Sequence, residues 1–152
     1  MTKILLVCMA NICRSPMACS VARQLARNAG LAASLKFDSA GTHAVPGGKR
    51  MDARARAALL NRSYEPDKTR SRQVSEQDFQ RFDLILAMDE SNLKELQRQC
   101  LPIHHHKLRL LLSFAPESGV IEVPDPYYGD TAGFERVLDL CETAIQGLLA
   151  KL

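Results

Sequence analysis

Short apolar runs alternate with longer amphipathic stretches along this chain. Residues 4–7 (ILLV) predict a buried β-strand. The spacing of Ala, Val and Leu over residues 17–28 is typical of an amphipathic helix, which Gly30 is expected to end. Apolar runs predict further strands at residues 35–39, 83–88 and 107–112.

Polar capping residues indicate where the remaining helices begin. Helices with Asp at the N-cap are predicted at residues 52–61 and 89–99. Ser75 precedes a short helix in which Asp78 stands at the capping-box spacing, although Glu or Gln is the usual residue there. Apolar positions at helical spacing predict a closing helix over residues 134–149.

Strands that alternate with helices predict a three-layer α/β fold, in which about four parallel strands carry helices on both faces. The ligand site of such a sheet lies beyond the carboxyl ends of its strands, where Cys8, Ser39 and Asp89 fall. There is no internal repeat, low-complexity segment or second domain. Residues 1–152 are therefore predicted to form one domain.

Composition agrees with a single hydrophobic core, since 46% of the 152 residues are hydrophobic. The chain has no apolar run of membrane-spanning length and no signal or lipidation sequence, so we expect a cytoplasmic protein without membrane insertion. The five cysteines are an odd number without CxxC spacing. They favour reduced thiols over a disulfide framework or a zinc ribbon.

The net charge of +3 conceals an asymmetry between the two parts of the chain. Residues 1–73 contain 13 Lys and Arg against 4 Asp and Glu, whereas the remainder contains 7 against 13. A basic first half is suited to steering anionic substrates. Solvated helix faces explain Arg50, Arg54, Arg56 and Arg62 equally well. Nucleic acid is not an expected partner, because the basic residues are not interleaved with aromatic ones and the chain has no Trp.

Residues 3–16 (KILLVCMANICRSP) carry the strongest functional signal. The apolar strand ends at Cys8, and Pro16 suits the first turn of a helix because its missing N–H would be unpaired there. Strand, loop and helix together gather Cys8, Arg14 and several backbone N–H groups around one point. A helix N-terminus attracts oxyanions and favours a thiolate over a thiol.

These residue types suit the cleavage of a phosphate monoester without a metal or organic cofactor. Cys8 is the candidate nucleophile, and the planar, permanently charged Arg14 can hold two phosphoryl oxygens at once. Asp125 is the candidate general acid, which protonates the leaving oxygen and then activates water as a carboxylate. The adjacent residues His104, His105 and His106 cannot all face one ion, so a polar loop is favoured over a metal site.

The pattern Cys8-x-x-Asn11-x-Cys13-Arg14-Ser15-Pro16 resembles the phosphate-binding loop of the low-molecular-weight protein tyrosine phosphatases. Residues 38–42, 72–92 and 125–129 are similar to the family's second strand, third-strand region and general-acid loop. The resemblance covers nearly the whole chain. It implies hydrolysis of protein phosphotyrosine, and of small aryl phosphates, through a cysteinyl-phosphate intermediate.

The loop after the first strand is thereby expected to bind phosphate. Its residues are Met9, Ala10, Asn11, Ile12, Cys13, Arg14 and Ser15. Ser15 is expected to hydrogen-bond the Cys8 sulfur and help it leave in the second step. Asn11 tolerates a left-handed backbone and is expected to tie the loop to Ser39.

Two further roles concern the surroundings of the loop. Tyr127 and Tyr128 are expected to flank the aryl ring of the substrate. The resemblance also implies a reversible disulfide between Cys13 and Cys8 under peroxide. The expected partner is a phosphotyrosine-containing protein, for example a tyrosine kinase. The physiological substrate and the oligomeric state are left open.

Three positions depart from the family pattern and bear on turnover and specificity. Ala10 stands where the family usually has glycine, so the loop is strained or slightly reshaped if that position needs a positive φ or a close approach to phosphate. Val45 lies in a loop without the aromatic residue that many relatives use as one wall of the cleft. Thr69 stands where some relatives carry a histidine that supports the loop.

Two alternative functions follow from the same residues. A thiol-dependent arsenate reductase has the same fold and a similar loop, but it needs further thiols, and residues 72–99 contain none. A module that binds phosphotyrosine with weak turnover is the other alternative, and only Ala10 favours it.

Overall fold

A four-stranded parallel sheet forms the centre of the protein, for which the computed structural model describes residues 1–152. The strands pair in the order β2-β1-β3-β4. Their bounds are β1, Thr2–Cys8; β2, Leu35–Gly41; β3, Leu84–Ala87; and β4, Leu108–Leu110. The chain thus leaves β1 for a neighbour on one side and then crosses to the other side. This reversal opens a crevice at the carboxyl ends of β1 and β3.

Five α-helices and three short 3-10 helices complete the fold. The α-helices are α1, Arg14–Asn28; α2, Ala53–Asn61; α3, Glu76–Arg81; α4, Glu90–Gln99; and α5, Thr131–Ala150. The 3-10 helices are Pro102–Lys107, Leu111–Phe114 and Pro116–Ser118. No helix combines the length and hydrophobicity needed to cross a bilayer.

Side chains of β1 alternate between two hydrophobic cores. Ile4 and Leu6 belong to the larger core, which includes residues of α1 and α5. Leu5 and Val7 belong to the smaller core on the opposite face, which includes residues of α3 and α4. All four are fully buried, and covering such a side chain contributes about 1.5–3 kcal/mol. The predicted three-layer α/β fold is confirmed, and the double burial explains why this strand is apolar throughout.

The three predicted helix caps are present. Asp52 accepts a hydrogen bond from the Arg54 amide at 2.8 Å, and Asp89 accepts one from the Asn92 amide at 2.7 Å. The Ser75 amide donates to the Asp78 carboxylate at 2.8 Å. Asp can therefore close this capping box, although its side chain is one methylene shorter than that of Glu.

All four strands differ in length from their predicted bounds, and the structure explains the differences at β2 and β4. The second strand runs to Gly41 instead of residue 39, because it pairs with β1 along its whole length, up to Cys8 opposite Gly41. The fourth strand is only three residues long. Leu111 and Leu112 instead form a buried 3-10 turn. A short apolar run does not distinguish a strand from a buried turn, so its sequence cannot locate this boundary.

Close packing of α5 on the Leu111–Phe114 turn leads to a test of the fold. A Cβ atom on Gly147 would lie 2.0 Å from the Phe114 carbonyl oxygen. We expect Gly147→Ala to lower the free energy of unfolding by about 1–3 kcal/mol in urea denaturation. Helix propensity alone predicts the opposite, a gain of about 1 kcal/mol.

Gly133→Ala is the matched control in the same helix. A Cβ atom there has its nearest neighbour, Pro126 Cβ, at the ordinary distance of 3.5 Å. Equal stabilities for the two variants would contradict the proposed steric origin of the effect.

Candidate active site

The Asn11 side chain holds the loop between β1 and α1 in shape. Asn11 has a left-handed backbone, with φ of 60°, as expected for a residue type that tolerates this conformation. Its Nδ2 donates to Ser15 Oγ at 2.7 Å and to Ser39 Oγ at 2.9 Å. Its Oδ1 accepts from the Arg72 amide at 3.0 Å. These three hydrogen bonds connect the loop to α1, to β2 and to the segment before α3.

Backbone N–H groups of this loop converge without protein acceptors. Helix α1 begins without a side-chain cap and without an acidic residue in its first turn. The amides with no acceptor in the protein are those of Met9, Ala10, Ile12, Cys13, Arg14 and Ser15. Unpaired amides at a helix N-terminus form a binding site for an oxyanion. Six of the seven residues predicted to bind phosphate thus have an unpaired amide, and the seventh, Asn11, donates its amide to Cys8 Sγ.

Cys8 lies at the centre of this loop, at the end of β1. Its side chain is buried, with 3% of the residue exposed. The Asn11 amide donates to Cys8 Sγ at 3.3 Å, and Ser15 Oγ lies 3.0 Å from the same sulfur. A thiolate at this position would accept hydrogen bonds from both groups, which would stabilise its negative charge.

The Arg14 guanidinium is buried and held in position by two acceptors. Its Nη1 donates to Asp89 Oδ2 at 2.7 Å and to the Val123 carbonyl at 3.0 Å. Burial lowers the pKa of Arg14, but the hydrogen bond to Asp89 and the charge of Cys8 raise the pKa by more. The net pKa lies above the ordinary value, so the group is permanently charged.

Asp125 lies near the same guanidinium but is open to solvent. Its Oδ2 is 3.7 Å from Arg14 Nη2, and 42% of its side chain is exposed. Its Oδ1 accepts from the Tyr127 amide at 3.1 Å, which sets the turn that carries both tyrosines. A carboxyl group at the mouth of a charged pocket can exchange protons with both bound ligand and water.

One cavity of about 250 Å³ brings the predicted site residues together. Cys8, Arg14, Asp125, Tyr127 and Tyr128 all line it. The two tyrosine rings pack edge to face with their centroids 4.9 Å apart. The other lining residues are Met9, Ala10, Ile12, Cys13, Val45, Lys49 and Ser71. The cavity therefore joins a cationic, amide-rich part to apolar and aromatic walls.

Cys13 is the second thiol of this cavity and differs from Cys8 in its environment. Only 4% of the residue is exposed. Burial, together with the nearby Asp52, Cys8 and Asp125, raises the pKa of the Cys13 thiol to about 12. The Cys13 thiol is therefore protonated at neutral pH.

The three departures from the family pattern have different consequences. Ala10 has no positive φ, since Asn11 and Ser63 are the only non-glycine residues that do. Ala10 therefore has no strain from a left-handed backbone. Val45 lines the cavity with a small apolar side chain that is 48% exposed. The amide and hydroxyl of Thr69 donate hydrogen bonds only to Asp67. Thr69 therefore makes no hydrogen bond to the loop between β1 and α1.

The roles of four residues near the site were not identified from the sequence. Asp89 was predicted to cap a helix and to lie at the ligand edge of the sheet, but not to fix Arg14 through its second carboxylate oxygen. Lys49 and Ser71 line the cavity from segments without a recognisable motif. Arg54 lies over the Tyr127 ring, with its guanidinium carbon 5.4 Å from the centroid. Only Asp89 had a usable signal, namely its place at the carboxyl end of the strand beside β1.

No three His, Cys, Asp or Glu side chains lie together as a metal site requires. The histidines 104–106 lie in a 3-10 helix. There, His105 Nε2 is 2.8 Å from the Cys100 carbonyl oxygen.

The site has the components of a phosphate-monoester phosphatase that works through a cysteine. A buried thiol, unpaired amides, a fixed guanidinium and an accessible carboxyl group share one cavity. The sequence profile of the family described as low molecular weight phosphotyrosine protein phosphatase matches residues 3–152. The chain belongs to this family.

Individual relatives are similar over nearly their whole length. A Streptomyces coelicolor low molecular weight protein-tyrosine-phosphatase is 41% identical over 97% of this chain and 92% of its own. The human low molecular weight phosphotyrosine protein phosphatase is 37% identical over 97% of this chain and 94% of its own. The crystal structure of an Entamoeba histolytica protein tyrosine phosphatase with Hepes in its active site superposes with a TM-score of 0.96. It is 40% identical and covers 99% of this chain and 96% of that one.

Close contact between Gly41 and the loop provides a test of the anion site. A Cβ atom at Gly41 would lie 2.6 Å from the Met9 carbonyl oxygen and 3.1 Å from Asn11 Cβ. Gly41→Ala must therefore displace the loop and its amides. We expect its affinity for inorganic phosphate, measured by calorimetric titration, to fall by about tenfold or more, since overpacking costs about 1–3 kcal/mol.

Gly129→Ala is the control for this substitution. A Cβ atom at Gly129 would meet only the Pro126 carbonyl oxygen, at 3.5 Å. Unchanged phosphate affinity in Gly41→Ala would show that the loop amides do not form the anion site.

Proposed function

We propose that the protein hydrolyses phosphotyrosine in proteins, and small aryl phosphates, through a cysteinyl-phosphate intermediate. One observation carries this proposal: a single cavity contains the Cys8 thiol, the unpaired loop amides, Arg14 and Asp125. Membership of the phosphatase family supports the same conclusion.

In the first step, the Cys8 sulfur attacks phosphorus. The loop N–H groups and Arg14 hold the equatorial oxygens, so that charge developing in the transition state meets fixed donors. An S–P bond forms as the P–O bond to the tyrosine breaks. Asp125 gives its proton to the departing phenolate oxygen. Arg14 and the amides supply the positive potential that a metal ion supplies in other phosphatases.

In the second step, the Asp125 carboxylate takes a proton from water. The water oxygen attacks phosphorus, the S–P bond breaks and inorganic phosphate leaves. The Ser15 hydroxyl, 3.0 Å from the sulfur, stabilises the departing thiolate. Asp89 is a positioning residue, because it orients Arg14 at 2.7 Å.

Substrate selection is proposed to depend on the aromatic mouth of the cavity. Tyr127 and Tyr128 flank the aryl ring, whereas Val45 leaves the opposite wall open. Partners are proteins that carry phosphotyrosine, a tyrosine kinase among them. The proposed setting is the cytoplasm, where thiols stay reduced, in keeping with five unpaired cysteines.

Oxidation is proposed to switch the enzyme off reversibly. Peroxide converts the Cys8 thiolate to a sulfenic acid, and the Cys13 sulfur then displaces the sulfenic oxygen as water and forms a disulfide. Both thiols line the same cavity. A thiol reductant restores the two cysteines.

Particular residues argue against each of the two alternative functions, the arsenate reductase and the phosphotyrosine-binding module. An arsenate reductase must relay a disulfide to further thiols, but Cys19, Cys100 and Cys141 do not line the cavity that contains Cys8 and Cys13. A binding module with weak turnover was suggested only by Ala10, whose backbone needs no glycine.

Substitution of the nucleophile tests the proposal directly. With EDTA present, we expect the wild type to hydrolyse p-nitrophenyl phosphate and a phosphotyrosine peptide but not the matched phosphoserine peptide. Cys8→Ser is expected to lower kcat by about 10³-fold or more, since it removes the group that forms the intermediate. Cys100→Ser, outside the cavity, is the control for thiol loss.

Two results would contradict the proposal. A folded, reduced wild type without turnover, but with thiol-dependent reduction of arsenate, favours the reductase. Activity that persists in Cys8→Ser excludes the cysteinyl-phosphate route.

The role of Asp125 has its own test. We expect Asp125→Asn to lower kcat for phosphotyrosine by about 10²–10⁴-fold, because phenolate is then expelled without a proton. The loss should be smaller for aryl phosphates with more acidic leaving groups, and phosphate affinity should change little. Asp130→Asn, an exposed carboxyl five residues further on, is the control. An equal loss for all leaving groups would remove Asp125 from this role.

A further inference from the structure

A second concave surface lies next to the catalytic cavity and has a different chemistry. We call it the basic groove; four cations line it, namely Arg50, Arg56, Lys68 and Arg70. It runs between α2 and residues 63–70. Its volume of about 840 Å³ compares with about 250 Å³ for the catalytic cavity. The groove is therefore large enough for several residues of a peptide.

The cations of the basic groove are not neutralised within the protein. The side chains of Arg50 and Arg56 have no hydrogen-bond acceptor and no carboxylate partner, and Arg70 reaches only the Gly48 carbonyl at 3.5 Å. Five other arginines of the same half of the chain are paired with carboxylates, namely Arg14, Arg23, Arg54, Arg62 and Arg72. Arg62 binds three carboxylates, Glu135, Asp139 and Glu142.

Acidic residues of the groove do not cancel this charge. The Asp67 carboxylate is 3.1 Å from Arg23 and is already engaged there. Glu65 lies 4.0 Å from Lys68 in an exposed pair, which contributes little. The groove thus presents three unpaired guanidinium groups, the side chain best suited to carboxylates and phosphates.

The groove and the catalytic cavity are separated by two adjacent chain segments. Lys49 and Ser71 line the cavity, and their chain neighbours Arg50 and Arg70 line the groove. The segments are hydrogen-bonded: the Ser71 amide donates to the Lys49 carbonyl at 2.8 Å, and the Lys49 amide donates to Ser71 Oγ at 2.8 Å. An extended peptide advances about 3.3 Å per residue, so a chain anchored in the cavity reaches the groove within a few residues.

We propose that the basic groove binds acidic residues that flank the phosphotyrosine in the same substrate chain. This inference rests on the proposed phosphotyrosine hydrolysis and adds a class of substrate, namely phosphotyrosine in an acidic segment. Charge complementarity favours an acidic occupant. A peptide is favoured over nucleic acid, because the one aromatic residue of the groove, Tyr64, is buried and offers no face for base stacking.

Matched peptides and charge variants test this proposal. Two phosphotyrosine peptides of equal length carry either three Glu or three Gln beside the phosphotyrosine, with one such pair for each flank. The groove variant is Arg50→Gln, Arg56→Gln, Arg70→Gln. The control variant is Arg81→Gln, Lys94→Gln, Arg136→Gln, three exposed cations without carboxylate partners outside both the groove and the catalytic cavity. Both variants lower the net charge equally.

We expect wild type and control to prefer the Glu peptide of one flank by about tenfold in kcat/KM at low salt, the size of three exposed ion pairs. The preference should disappear in the groove variant and weaken in all proteins as salt rises. Equal kcat/KM for both peptides in the wild type overturns the proposal. So does a preference that survives in the groove variant, or one that the control loses equally.

Two further readouts separate this proposal from the proposed function. Hydrolysis of p-nitrophenyl phosphate reports on the catalytic cavity alone. If no phosphotyrosine substrate turns over, fluorescence anisotropy of the same peptides on Cys8→Ser proteins still measures the Glu preference and its loss in the groove variant. Loss of single-stranded oligonucleotide binding in the groove variant, with an unchanged peptide preference, would assign the groove to nucleic acid and overturn the proposal.

Discussion

The hydrogen bonds of the Asn11 side chain are the constraint on which the site depends. The side-chain amide of Asn11 donates hydrogen bonds to Ser15 and Ser39 and accepts one from the Arg72 backbone amide. The same residue has a left-handed backbone within the loop of unpaired N–H groups between β1 and α1. Such a concentration of unpaired donors is unfavourable, and the buried, fully bonded amide keeps it in place. The shape of the loop is therefore fixed by hydrogen bonds within the protein.

Arg14 connects this loop to the rest of the molecule. Its guanidinium bonds to Asp89 after the third strand and to the Val123 carbonyl, two residues before Asp125. Val123 is in turn held by its amide, which donates to the Met88 carbonyl at 2.8 Å. The Arg14 guanidinium thus connects the loop between β1 and α1 to the end of the third strand and to the segment that carries Asp125, the proposed general acid. Burial on both faces of the sheet makes this possible, because close-packed strands fix the loops at their carboxyl ends.

Folding forms ion pairs between the basic and the acidic half of the chain. Carboxylates from the acidic half neutralise Arg14, Arg62 and Arg72 of the basic half. Interpretation as a solvated helix face suits Arg56 but is wrong for Arg50, which precedes α2, and for Arg62, which is bound to α5. Three arginines that remain unpaired, Arg50, Arg56 and Arg70, share the basic groove beside the catalytic cavity. A net charge of +3 therefore gives little indication of the local potential around the site.

The sequence by itself determined the alternation of strands and helices, the caps at Asp52 and Asp89, and the loop of Cys8, Asn11 and Arg14. These features depend on neighbours close in the chain, where periodicity, capping and turn chemistry act. Only the tertiary structure decided that Asp89 orients Arg14, that Lys49 and Ser71 line the cavity, and that Ala10 has no left-handed backbone. It also decided which arginines are paired. Contacts across 22 to 80 residues of chain leave no local pattern, because packing selects the partners and propensity does not.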